Sequence, residues 1–227
     1  MVDLQINWSE KHPKILCLGA HADDIEIGCG GAILNLLANN IKSEICWVVF
    51  SANEERRQEA LESAHLFLKN STKKNIIIRD FRENYFPYNG GEIKEYFNEL
   101  RGHFNPDLIF THYRNDLHQD HRLIYDLTLN AYRDHLILEY EIPKYDGDLG
   151  SPHVFVPLDE RVLDFKIKSL LKYFQSQKDK PWFSKDTFRA LPRLRGIESK
   201  SQSGYAEAFF CRKMVLANFE LIKDRNG

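Results

Sequence analysis

No stretch of this sequence approaches the roughly 20 consecutive apolar residues needed to cross a bilayer. Its opening, MVDLQINWSEKHPK, lacks the apolar core of a secretory signal. The expectation is a cytoplasmic protein with no membrane span. An excess of charge of one sign is also missing: 31 Lys and Arg stand against 33 Asp and Glu, for a net charge of −2. Composition therefore forces no basic surface, and nucleic acid is not an expected partner. Cysteine is scarce. Cys17, Cys29, Cys46 and Cys211 include no CxxC pair, and three of them lie in apolar or glycine-rich runs, so they read as free core thiols in a reducing compartment. There is no P-loop, and the one glycine-rich run, GCGG, lacks the GxGxxG spacing of a dinucleotide site.

What remains is a chain of 227 residues, long enough to bury a full core as one domain spanning 1–227. Lys14 to Ala20 (KILCLGA) is a continuous apolar run, which suits a strand covered on both faces. Ser43 to Ser51, Asn75 to Arg79 and Asp107 to Thr111 repeat it. Between them, Gly31 to Asn39, Glu54 to Lys69 and Glu92 to Phe104 carry apolar residues at helical spacing. This alternation predicts right-handed crossovers and an α/β fold with a Rossmann-like, mostly parallel sheet flanked by helices. Its ligand crevice should open at the carboxyl ends of the strands. Beyond residue 135, LILEYE and HVFVPL read as strands, Asp159 to Phe174 as an amphipathic helix, and KYDGDLGSP as a turn-rich loop.

Two polar clusters fall at such strand ends. The first, Ala20-His21-Ala22-Asp23-Asp24, follows the first strand. His21 and Asp24, three positions apart in a loop, can face one cation, while Asp23 can point to an adjacent place where water sits. The glycines after Ile27 are expected to fold the backbone closely around that site before a helix begins. A plainer alternative is that Asp23 and Asp24 only cap the helix. The second cluster, Asp116-Leu117-His118-Gln119-Asp120-His121, follows the fourth strand. His121 can complete a His2Asp set with an open fourth position, as a catalytic zinc site requires, and His118 would stand beside it. Mixed imidazole and carboxylate ligation favours Zn2+, with Fe(II), Mn(II) or Co(II) also fitting.

AHADDIEIGCGG together with DLHQDH resembles the PIG-L or LmbE-like N-acetylglucosaminyl deacetylases, whose pattern is AHPDD-x-E-x-G-x-GG followed by H-x-DH. The resemblance extends to GYAEAFFCRK, so it covers most of the chain. It implies zinc ligands His21, Asp24 and His121, with Asp23 as general base. It also implies that His118 stabilises the oxyanion and Asp120 orients His118. The one departure in the first motif is Ala22 where the family carries Pro, which removes no ligand.

The implied activity is zinc-dependent removal of an N-acetyl group from an amino-sugar conjugate, and family members often form homo-oligomers. Arg57, Asp80, Asp116 and His153 are the candidate substrate contacts. For Arg57 the plain alternative is helix-face charge, for Asp80 a turn, and for His153 the start of a strand. FRENYFPYNGG and KYDGDLGSPH suit walls around a sugar ring. The competing functions are a zinc amidase for another small N-acyl amine and a carbohydrate-binding protein without turnover.

Overall fold

The run after Pro13 forms β1 (Lys14–Gly19), buried from Ile15 onward. Its hydrophobic neighbours make β2 (Glu44–Val49), β3 (Lys73–Ile78), β4 (Leu108–His112) and β5 (Leu136–Tyr140). The computed structural model describes Leu4, Ile6 and residues 12–38 and 42–215. Between these strands lie α1 (Asp24–Ala38), α2 (Glu54–Phe67), α3 (Gly90–His103) and α4 (Gln119–Ala131). The chain continues through β6 (Val154–Pro157), α5 (Glu160–Tyr173), α6 (Lys185–Glu198) and β7 (Ala206–Cys211). Among the described residues, no helix is long and apolar enough to cross a membrane.

The strands form one sheet in the order β3-β2-β1-β4-β5-β7-β6. β1 to β5 are parallel, and β7 runs antiparallel to both β5 and β6. The expected mostly parallel, single-domain α/β architecture is therefore the observed one. Residues alternate across the sheet: Ile15 and Cys17 face α1, α2 and α5, whereas Leu16 and Leu18 face α3 and α4. The order reverses at β1, with β2 on one side and β4 on the other. Connections leaving β1 and β4 therefore diverge and open a crevice at the carboxyl ends of the two strands.

α1 begins at Asp24, seven positions before the expected start, and its glycines are helical. They serve packing. A Cβ on Gly28 would lie 2.2 Å from the Tyr140 ring, and one on Gly31 would lie 2.7 Å from Leu158. Close approach of sheet and helix, rather than a loop around the site, is what these glycines permit. The expected last residue of that helix, Asn39, lies outside the described residues. α4 and α6 were not anticipated.

The middle of α1 is also tied down by charge. Glu207 on β7 accepts from the backbone N–H of Gly31 at 2.8 Å and of Ala32 at 2.7 Å. Lys166 on α5 donates to the Ile27 carbonyl and to Glu207, both at 2.6 Å. Lys and Glu are thus buried as a pair whose remaining capacity is met by backbone, the condition under which such burial is tolerated.

Candidate active site

The turn after β1 and the N-terminus of α4 bring three donor atoms together. His21 Nδ1 is 3.2 Å from His121 Nε2, and Asp24 Oδ2 is 3.5 Å from each of them. Tetrahedral bonds of ~2.0–2.1 Å put ligand atoms about 3.4 Å apart, so this triangle has the edge lengths of one face of a zinc coordination shell.

The opposite ring nitrogens are fixed by carboxylates. His21 Nε2 is 3.2 Å from Asp120 Oδ2, and His121 Nδ1 is 2.9 Å from Asp116 Oδ2. Each imidazole thereby presents its other nitrogen to the centre, the usual outer-shell arrangement at metal-binding histidines. The residues present therefore fit a divalent cation. Burial, and after it the nearby His112, pushes His121 down to about 3 against the pull of Asp24 and Asp116. Burial alone would raise Asp24, but His121, His112 and His21 hold its carboxyl well below the ordinary range. For His121 and Asp24 these are the states that bind a metal, whereas His21, which burial alone would lower, is raised by Asp120 and Asp24.

Two expected roles change. The Asp120 carboxylate bonds to His21, not to the His118 ring, and it also accepts from the backbone N–H of Asn84 at 2.6 Å and of Phe86 at 3.2 Å. Asp116, expected as a substrate contact, is 2% exposed, and its carboxylate is taken up by His121 and by Lys144, the latter at 3.0 Å.

His118 is the N-cap of α4: its Nδ1 accepts from Asp120 N–H at 3.2 Å. That bond fixes the neutral tautomer with the proton on Nε2. Burial, then the neighbouring His21, holds its basicity below the ordinary imidazole value. With the Asp120 carboxylate on His21, His118 offers a neutral Nε2–H donor.

Asp23 is 4% exposed. Its Oδ1 accepts from Arg56 Nη2 at 2.9 Å, while Oδ2 has no partner among the described residues. Burial raises the carboxyl above its ordinary value although Arg56 pulls it down. Asp23, Arg56, His118 and the triangle line one cavity of about 240 Å³, with Glu83, Lys144, Tyr145, Gln177 and Trp182 on its other walls.

The remaining expected contacts lie elsewhere. Arg57, next to Arg56 on α2, turns away and donates to the Ile78 carbonyl at 2.7 Å. Asp80 is exposed and pairs by backbone with Ser51. His153 is exposed, opens β6 with its N–H on the Phe209 carbonyl, and sets its ring edge-on to Phe210. None of the three lines the cavity.

His112 was missed. It is fully buried at the end of β4, with Nε2 accepting from Ala20 N–H at 2.9 Å and lying 3.3 Å from Asp24 Oδ2. Its ring stacks on His121 at 3.9 Å between centroids. Because a backbone N–H occupies Nε2, His112 supports the centre from behind. The available signal was a histidine closing an otherwise apolar strand next to β1.

The fold and site define an α/β protein with a His/Asp cluster that could hold a divalent cation at the switch point of its sheet. Residues 16–132, more than half of the chain, match the family model PIG-L: GlcNAc-PI de-N-acetylase. The chain belongs to this family. Solved structures share its fold. A conserved protein from Thermus thermophilus is 19% identical, with 91% of this chain and 97% of its own covered, and superposes with a TM-score of 0.69. An N,N'-diacetylchitobiose deacetylase from Pyrococcus horikoshii is 20% identical over 88% of this chain and 83% of its own, with a TM-score of 0.61. A 4-carboxy-2-hydroxymuconate hydratase from Pseudomonas putida is 17% identical over 91% and 98%, with a TM-score of 0.70.

Proposed function

We propose that this chain is a zinc-dependent N-deacetylase that hydrolyses the acetamide of an amino-sugar conjugate. The observation that carries the reading is the unpartnered Asp23 Oδ2 in the same cavity as the His21–Asp24–His121 triangle. A divalent cation held by those three residues supplies Lewis acidity toward an amide carbonyl and acidifies water. Asp23, raised by burial and steadied by Arg56, takes the proton of the attacking water at Oδ2. His118 Nε2–H donates to the oxyanion of the tetrahedral species, and the proton held on Asp23 passes to the departing amine. Asp120 and Asp116 keep the two imidazoles aimed while this happens.

Family membership and the chitobiose deacetylase among the structural relatives support amide hydrolysis and an amino-sugar substrate. The fold alone does not choose the reaction, since a hydratase shares it. A binding protein without turnover has no use for a raised carboxylate facing the metal-ligand triangle. The test is amine release by the zinc-reconstituted protein. N-acetylglucosamine conjugates are expected to be turned over and N-acetyl amino acids much more slowly. Turnover confined to the amino acids would transfer the reading to a general amidase, and no release from either would remove it.

A further inference from the structure

The family match ends at residue 132, yet the cavity above Asp23 has a second wall made by later residues, among them Lys144, Tyr145, Gln177 and Trp182. Gln177 is 4% exposed. Its Nε2 donates to Ser176 Oγ at 3.0 Å, which leaves Oε1 without a partner among the described residues. A buried amide acceptor is costly to leave unpaired, so a lone one in a residue that lines a cavity points to a donor brought by a ligand. Tyr145, on the same cavity, is 71% exposed. It offers an aromatic face at the mouth.

The turn that carries Gln177 is held before any ligand arrives. Ser176 donates its N–H at 2.8 Å and its hydroxyl at 2.6 Å to the Glu59 carboxylate on α2. The Gln177 N–H bonds to the Phe174 carbonyl at 3.1 Å, and the Gln177 carbonyl accepts from Lys180 N–H at 3.0 Å. A preorganised acceptor gives selectivity at little ordering cost.

The chemistry of the wall names the ligand class. An amide oxygen takes only a hydroxyl or N–H donor, which a simple acyl chain lacks. A pyranose has hydroxyls around its rim and apolar C–H faces that pack on aromatic rings. We propose that Gln177 is a specificity-determining residue, its Oε1 accepting a hydroxyl from a sugar ring that lies against Tyr145 and Trp182. This rests on the amino-sugar reading given above and goes beyond it by assigning recognition to the part of the chain outside the family match.

Binding to the metal-free protein tests it without turnover. The probes are the methyl glycoside of N-acetylglucosamine and its monodeoxy derivatives, followed by calorimetry. The wild type is expected to bind one monodeoxy derivative about tenfold more weakly than the parent, the size of one net neutral hydrogen bond. Gln177→Met is expected to bind the parent about tenfold more weakly and to lose that discrimination, while Gln177→Glu, which keeps an acceptor, retains it. Should the Met variant not fold, Gln177→Ala leaves the backbone bonds of the turn in place and serves the same comparison. Undiminished discrimination in the Met or Ala variant overturns the proposal, as does a wild type that binds no glycoside. Failure of the zinc-loaded protein to release amine would instead sink the deacetylase reading and leave this binding result standing.

Discussion

His21 Nδ1 and His121 Nε2 stand 3.2 Å apart although a hundred residues separate them. Sheet order explains the meeting. β1 and β4 are adjacent strands at the point where the order reverses, so the turns after them open into one crevice. Asp120 and Asp116 then turn the two rings toward each other.

In the proposed mechanism, holding the metal and moving the proton are separate tasks. Asp23→Asn keeps all three ligands, so metal content should be unchanged while kcat falls about 10²–10⁴-fold. His118→Ala should also retain metal and lose about 10²–10³-fold. Metal analysis alongside steady-state kinetics checks both, and undiminished turnover in Asp23→Asn would take the base role from that residue.

Arg56 and Arg57 are neighbours with different work. The Arg56 guanidinium lowers the Asp23 carboxyl, so its removal must raise that carboxyl further. The acid limb of the kcat/KM profile of Arg56→Ala is expected to move to higher pH. Arg57→Ala, which loses only a bond to the Ile78 carbonyl, should leave the limb where it is. A pH profile with the two behaviours exchanged contradicts the assignment.

Glu139 gives a stability prediction. Burial raises its carboxyl from 4.5 to about 7. A carboxyl raised in the folded state contributes stability that is full below pH 4.5 and is lost as pH rises through about 7. At 1.36 kcal/mol per unit the loss is about 3 kcal/mol. Urea unfolding of Glu139→Gln should lack this decline, making it the more stable protein at pH 8 and no more stable at pH 4. Parallel curves for the two proteins would exclude the effect.

The Lys166–Glu207 pair beside α1 supplies another. Glu207→Ala strands a buried ammonium and two backbone N–H groups, at a cost of about 3–5 kcal/mol. Replacing both partners by apolar residues, as in Lys166→Met with Glu207→Leu, is expected to cost less than Glu207→Ala alone. A double variant that is the less stable of the two in urea would contradict this.

The parallel strands were legible because each is an apolar run, and strand ends advertise themselves by abrupt polarity. That is why His21, Asp23, Asp24, His118, Asp120 and His121 could be placed together from sequence. Which partner each one takes was not legible. Asp120 reaches His21 rather than His118 because His118 spends its Nδ1 on the helix cap. Adjacent residues on a helix point about 100° apart, so only the docking of α2 decides between Arg56 and Arg57. Glycines written as GCGG are silent on whether the close neighbour is a ligand or a Tyr140 ring. Gln177 lies in a turn far along the chain, and no local pattern marks it.

The central claim is that His21, Asp24 and His121 hold one divalent cation. Calorimetric titration of the metal-free protein with zinc tests it most directly. About one equivalent is expected, with binding abolished in His21→Ala and His121→Ala and weakened about 10–100-fold in Asp116→Ala, which keeps all three ligands but loses the carboxylate behind His121. Full-affinity zinc uptake by His121→Ala, or none by the wild type, would contradict the account.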